Sequence, residues 1–337
     1  MERCTVIVTA RDRFSTTIRC LTTLLQHTPE PCDVIAVMGG APEHLRRDWS
    51  QRFGEKVRFF FPSEFVNQAT ARNIGLRQAA TRLAVTMDND VFVRPGWLAS
   101  LLQCQQDTGA IMVVPLVLET ERRIHTAGNR LFVSYDQGKA FGHKELPFHG
   151  MPVGERVNLQ REPTDYGELH CQLVEVEPAL RLGVFDEHIQ EVGEVDFGLT
   201  CQNAGRAMWF EPDSVVRYAL RIPLQPDDLR LFAWRWNMAA IWQSYQYFER
   251  KWQMDITESG EFRDFLLWYN AQLGLLPRLF PSALALAVDR RLAWLRGVVA
   301  RGLKWTQAPK ALLRRYKAWL IGYYVWPEPR SMNELGT

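Results

Sequence analysis

Leu83-Ala84-Val85-Thr86-Met87-Asp88-Asn89-Asp90-Val91-Phe92-Val93-Arg94-Pro95-Gly96-Trp97 is the stretch on which the reading of this chain turns. An apolar run of strand character ends in two acids, Asp88 and Asp90, with one residue between them. Strands end at the edge of a sheet, where open α/β folds bind their ligands. Two carboxylates that close repel one another unless a cation or a solvated turn relieves them. A hard divalent ion, which takes one or two carboxylates and then the oxygens of a diphosphate, suits the pair. The plainer reading is an acidic turn in front of a helix that Pro95 begins.

Around this stretch, strands and helices alternate. Cys4 to Ala10 is short and β-branched and reads as a buried first strand. Ser15 is placed to cap a helix with Ile18, Leu21, Leu24 and Leu25 on one face, ended by Pro29 and Pro31. Asp33 to Met38, closed by Gly39-Gly40, makes a second strand, and Val57 to Phe61 a third. Thr70 to Ala80 is a predicted helix with Ile74 and Leu76 inward, and Leu83 to Met87 a fourth strand. This order predicts an α/β fold with a mostly parallel sheet flanked by helices. From Glu119 to Val174, frequent Gly, Pro, His and charged residues predict a long irregular loop. Gln172 to Val176 is strand-like, and Val195 to Ala204 has helical spacing ended by Gly205. After Pro223 and Pro226 long helices are expected, with Leu231, Trp234, Met238, Ile241, Tyr245 and Phe248 on one stripe. The reading therefore divides the chain into a domain over 1–222 and a helical C-terminal region over 223–337.

The totals exclude several classes. With 337 residues, 47% hydrophobic and 23% charged, there is ample material for a core. A net charge of +2 implies no general affinity for nucleic acid. The six cysteines are scattered and form no C-x-x-C pair, which argues against a zinc knuckle or disulfide framework and for a reducing compartment. No apolar signal core stands at the N-terminus and no apolar run of about 18 residues appears, so a cytoplasmic location is expected.

Four segments in order, CTVIVTARDRF, NQATARNIGLRQAA, LAVTMDNDVFVRPGW and VFDEHIQEVGEVDFGLTCQNAGRAMWFEPDSVVRY, resemble family-2 glycosyltransferases. Those are inverting enzymes on the glycosyltransferase-A fold. The resemblance implies transfer of a sugar from a nucleotide-sugar donor to an acceptor hydroxyl, on a glycan, lipid-linked or small-molecule acceptor, assisted by Mn2+ or Mg2+. It places Ala10, Arg11 and Asp12 at the nucleotide end of the donor site, and Arg72 and Asn73 beside the donor. Asp88 and Asn89 would touch the donor, and Asp88 and Asp90 would hold the metal. Glu194 falls on the general base of the family's acidic catalytic motif and Asp196 on its last acid. His170 has two readings, a metal or acceptor contact and a hydrogen-bonded pocket residue. His125, His143 and His149 show no ligand spacing and read as loop residues.

Three positions depart from the family pattern. The second strand ends in Met38-Gly39-Gly40 where a base-reading Asp is common. Gly193-Glu194 stands where the motif has Glu-Asp. Tyr218 stands where a further metal-binding His is frequent. Two rival readings follow: a non-catalytic glycosyltransferase-like binding or scaffold protein, and a sugar-phosphate nucleotidyltransferase. The second would need a Gly-rich, basic phosphate loop after the first strand, and Arg11-Asp12-Arg13-Phe14 is not one. Beyond the motifs, Asp289 to Lys317 carries nine cations against one acid, interleaved with Trp294 and Trp305 and followed by Trp319. Such helices suit peripheral contact with the inner face of an anionic membrane, or a homo-oligomer interface.

Overall fold

The computed structural model describes residues 2–154, 157–219, 222 and 224–256. The chain divides into two compact units, Met1–Asp255 and Ile256–Thr337, and the first is described below. The basic, Trp-bearing segment 289–326, expected to meet a membrane or a second copy, lies outside the described residues. Among the described residues no helix is long and apolar enough to cross a membrane.

Strand β1 (Cys4–Thr9), helix α1 (Thr17–His27), β2 (Cys32–Val37), α2 (Glu43–Phe53), β3 (Val57–Phe60), α3 (Gln68–Arg77) and β4 (Leu83–Asp88) open the fold. Next come β5 (Val91–Val93), α4 (Trp97–Thr108), β6 (Met112–Leu118), β7 (Ile124–Thr126), β8 (Arg130–Asp136), β9 (Lys139–Glu145) and β10 (Glu162–Pro163). Then follow β11 (Cys171–Glu175), α5 (Val176–Arg181), α6 (Gly193–Asn203) and β12 (Met208–Tyr218). A 3-10 turn at Pro226–Asp228 leads to α7 (Leu229–Arg235), α8 (Met238–Trp252) and β13 (Met254–Asp255).

The main sheet runs β10-β12-β6-β11-β4-β1-β2-β3. Strands β4, β1, β2 and β3 are parallel, as are β6 and β12, and β11 is antiparallel between β4 and β6. This is the mostly parallel α/β sheet expected from the alternation. Side chains leave β1 to opposite faces, as the two-residue period requires. Cys4, Val6 and Val8 join a core with Leu21 and Leu24 of α1 and Trp97 and Leu101 of α4. Ile7 joins the other core, with Ala71 and Leu76 of α3 and Phe197 and Cys201 of α6. Helix α3 lies so close to β1 that a Cβ on Gly75 would stand 2.2 Å from Ile7 Cγ2. That contact sets the depth at which Arg72 and Asn73 enter the sheet end.

Some expectations needed correction. Pro95 does not begin a helix: α4 starts at Trp97 behind Gly96, whose φ of 81° suits glycine, and β5 separates it from the acids. The two acids therefore do not cap α4; Asn89 and Asp90 form the turn between β4 and β5. The stretch 119–174 is not one irregular loop, because β8 and β9 form a full hairpin closed by Gln137-Gly138, both at positive φ. The C-terminal stripe is two helices, broken between Arg235 and Met238.

Ser15 does not cap α1; Thr16 holds that position. The Ser15 hydroxyl and amide instead donate to Asp228, at 2.7 and 2.9 Å. Asp228 is fully buried and also accepts from the amides of Phe14 and Gln225, each at 2.7 Å. One carboxylate thus ties the end of β1 to the turn before α7. Asp228→Ala leaves three backbone amides and a hydroxyl without that acceptor. An unmatched buried donor costs about 1–3 kcal/mol and one within reach of water costs less; with only the Phe14 contact fully buried, a loss of roughly 2–4 kcal/mol is expected in denaturant unfolding. A change under about 1 kcal/mol would show that water replaces the carboxylate.

Candidate active site

The sheet delivers its acids where β4 gives way to β5. Asp88 is the last residue of β4 and is hydrogen-bonded through its amide to the His170 carbonyl, just before β11. Asp90 lies two residues on, with its carbonyl accepting from the amide of Ala219, beyond β12. Asn89 turns inward and stitches the β1 loop: its side chain donates to Arg13 O at 2.7 Å and Thr17 Oγ1 at 2.9 Å, and accepts from the Arg11 amide.

The two aspartates differ sharply in their surroundings. Asp88 Oδ1 accepts from Gln68 Nε2 at 2.8 Å and from Arg72 Nη2, and Oδ2 lies 3.2 Å from His170 Nδ1. Asp90 is also fully buried, yet neither of its carboxylate oxygens has a hydrogen-bond partner. Its nearest cation is Arg11, with Nη1 3.8 Å away. Burial raises the Asp90 carboxyl, Arg11 pulls it back, and Asp88 and Asp12 push it up again, to about 6. A buried carboxylate without partners is costly, and an oxygen-seeking divalent ion is the group that would match it. The residues present therefore fit such an ion, with Asp90 as its principal ligand. Ligand atoms of Asp88, Asp90 and His170 all lie within 4.8 Å of one another.

His170 is held on both ring nitrogens, Nδ1 by Asp88 and Nε2 by Glu168 at 3.3 Å. Burial alone would lower the imidazole, but hydrogen bonds to these two carboxylates raise it to about 9. As placed, His170 is the hydrogen-bonded pocket histidine of the sequence reading, and it would bind metal only by releasing a carboxylate. His125, read as a loop residue, lies in β7 and is buried, with Nε2 3.0 Å from the same Glu168 oxygen. Its ring centroid is 5.1 Å from those of His170 and Tyr218.

The residues expected at the donor side divide by what they touch. Arg72 is completely buried; it reaches Asp88 and the Leu169 carbonyl at 2.6 Å, while its Nε and Nη1 have no hydrogen-bond partner. Asn73 does not face the cleft: its amide clamps Phe185 O and Glu187 Oε1, both at 2.8 Å. Asp12 is committed to Arg13 at 2.7 Å and to the Trp236 indole at 3.1 Å. Burial would raise the Asp12 carboxyl, but Arg13 and Arg11 outweigh it and hold it low. Ala10 contributes its backbone, donating to Val37 O at 3.3 Å. Arg11 points into the acidic pair, with Nε 3.7 Å from Asp88 Oδ2.

Across the cleft, α6 begins behind Val192, a β-branched residue at φ 63°. A left-handed backbone there is strained, and such strain gathers at functional sites. It places Glu194 in the first turn of α6, half-buried, 3.4 Å from Lys144 Nζ of the β8–β9 hairpin. Burial raises the Glu194 carboxyl, Lys144 opposes this, and Glu191 adds to it. Asp196 is nearly fully buried and bound by Lys251 Nζ and Trp252 Nε1, each at 2.8 Å. It locks α8 onto α6 and is closed off from a reacting group.

Sequence reasoning missed Gln68, Glu168, Arg235 and Trp236. Arg235 of α7 links Glu191 at 2.7 Å with Gln68 at 3.4 Å, and so reaches Asp88 through the glutamine. Gln68 stood inside a quoted segment, beside Arg72; nothing local marked Arg235.

A mostly parallel sheet whose fourth strand ends in Asp-x-Asp, with a carboxylate-bearing helix facing it, is the glycosyltransferase-A arrangement. Residues 5–153 match the model of glycosyl transferase family 2. A crystal structure of GalNAc-T7 with UDP, GalNAc and Mn2+ shares the fold at a TM-score of 0.50 and 17% identity. That match covers 83% of this chain and 58% of the other, so the chain spans less than two thirds of that protein's length. No curated protein matches the sequence.

Proposed function

We propose that this chain is an inverting, metal-assisted glycosyltransferase that moves a sugar from a nucleotide-sugar to an acceptor hydroxyl. The observation that carries the reading is Asp90, buried at the end of β4 with both carboxylate oxygens unmatched. A divalent ion held by Asp90 with Asp88 beside it would supply positive charge to the departing diphosphate. Arg72 holds Asp88 in register, and Gln68 and His170 fix its two oxygens. Glu194 takes the acceptor hydroxyl's proton as the acceptor oxygen bonds to the anomeric carbon from the face opposite the diphosphate. The sugar–phosphate bond breaks and the nucleoside diphosphate leaves. The raised carboxyl of Glu194 suits a base that must hold the proton once it has accepted it.

The scaffold reading draws on Tyr218 standing in a frequent ligand position and on the full complement of partners around Asp88. The two separate in one measurement. The enzyme releases nucleoside diphosphate from at least one member of a nucleotide-sugar panel in the presence of Mn2+, by acceptor transfer or slow hydrolysis. Donor binding without release across the panel would favour the scaffold, and neither binding nor release would sink both.

A further inference from the structure

Asp88 and Asp90 face a space that a positive group of the chain itself already enters. The Arg11 guanidinium lies 3.7 Å from Asp88 Oδ2 through Nε and 3.8 Å from Asp90 Oδ2 through Nη1. Charge-assisted hydrogen bonds to carboxylates run at about 2.7–2.9 Å. Arg11 therefore compensates both acids by charge without bonding to either. Its position comes from the other side: Nη1 donates to Tyr218 Oη, and the guanidinium carbon lies 4.9 Å from the Tyr218 ring centroid and 5.6 Å from that of Trp236. Tyr218 is itself fixed, stacked on His170 at 4.1 Å and paired through β12 with Val91 of β5. The side chain is only 10% exposed, so this is a built position rather than a wandering surface arginine.

A divalent ion binds carboxylate oxygens at about 2.0–2.1 Å for Mg2+-like coordination. An ion there would share a small, poorly solvated space with the guanidinium, and their repulsion is weakly screened. We propose that Arg11, held by Tyr218, is a resident counter-cation that competes with the divalent ion for Asp88 and Asp90. The diphosphate ends the competition, because its oxygens accept the planar guanidinium fork and the ion together. Ion and nucleotide then bind as a pair, and the free protein is a poor metal binder. The inference rests on the donor-site reading above and adds a binding order to it.

The test is Mn2+ titration of the full chain without nucleotide, followed by loss of the electron paramagnetic signal of aqueous Mn2+. Arg11→Met should bind Mn2+ roughly tenfold tighter or more, within the 5–150-fold range of ordinary site-to-site coupling. Tyr218→Phe, which removes only the anchoring oxygen, should shift affinity the same way by less. Asp90→Asn in the Arg11→Met background should abolish the gain, which locates the ion. Unchanged or weaker Mn2+ binding in Arg11→Met overturns the inference. Should that variant fail to fold by thermal melt, unchanged affinity in Tyr218→Phe overturns it instead. A parallel titration with UDP, GDP and dTDP keeps the two readings apart. If none binds with Mn2+ to wild type or Arg11→Met, the donor reading fails. If one binds to wild type while Arg11→Met gains no metal affinity, only the counter-cation role fails.

Discussion

Glu194→Gln lowers sugar transfer by about 10²–10⁴-fold and leaves Mn2+-dependent nucleoside diphosphate binding unchanged. The amide keeps the shape of the side chain and can still face Lys144, 3.4 Å away in the native protein, but it cannot take a proton from an acceptor. The effect therefore falls on turnover. Native activity should fall on the acid side at a higher pH than an ordinary glutamate would give, because burial raises this carboxyl. That limb should disappear from the residual activity of the variant. Equal losses in donor affinity and turnover would make Glu194 structural. An unaffected rate would move the base to Glu191, since Asp196 is closed off by Lys251 and Trp252.

Asp90→Asn abolishes the thermal stabilisation that nucleoside diphosphate plus Mn2+ confers, with metal affinity falling by at least about 100-fold. Changing a group that merely orients a metal ligand costs about 10–100-fold, and Asp90 would be the ligand itself. The substitution is nearly isosteric, and no hydrogen bond is lost because the native carboxylate makes none. Fold stability in the absence of ligands should change little, since relief of the repulsion from Asp88 and Asp12 offsets the lost attraction to Arg11. Asp88→Asn is the instructive contrast. It strikes the contacts with Arg72, Gln68 and His170 together, so it should lower stability as well as binding. If stabilisation by the diphosphate and Mn2+ survives in Asp90→Asn, the metal assignment is wrong.

The parts of the fold legible in sequence are those where burial writes a period. Strands β1 and β4 are buried along their whole length and appear as apolar runs. Helix α2 escaped notice because only Trp49 of its eleven residues is buried, leaving almost no apolar stripe to read. The β8–β9 hairpin escaped because its outer strand is solvated, with Tyr135 76% exposed and Phe132 55%. Its turn residues Gln137-Gly138 were the available signal. In the candidate site, Asp88 and Asp90 stand out in sequence because an apolar strand ends at them, whereas Glu194 was singled out by the family resemblance. Asp12, Asn73 and Asp196 carried the right residue types but are spent on Arg13 and Trp236, on the 185–187 segment, and on α8. Arg235 approaches its Gln68 partner across 167 residues of chain, a distance no window on the sequence spans.

The place of β11 in the sheet has a consequence for how the protein is made. It lies between β4 and β6, which precede it by more than fifty residues of chain, and β12 covers the far side of β6. A nascent chain that has emerged as far as residue 153 carries β4 and β6, largely apolar strands that are buried along their whole length in the native sheet, without the strand that separates them. Open apolar edges of that kind invite wrong pairings, here most simply of β4 with β6, and pairings distant in sequence form slowly. Native assembly must wait for Cys171–Glu175 to enter and for Met208–Tyr218 to close the edge, bringing His170 and Tyr218 to the aspartates in the same step. The segment 5–153, which the family model matches, is thus not by itself a unit of folding.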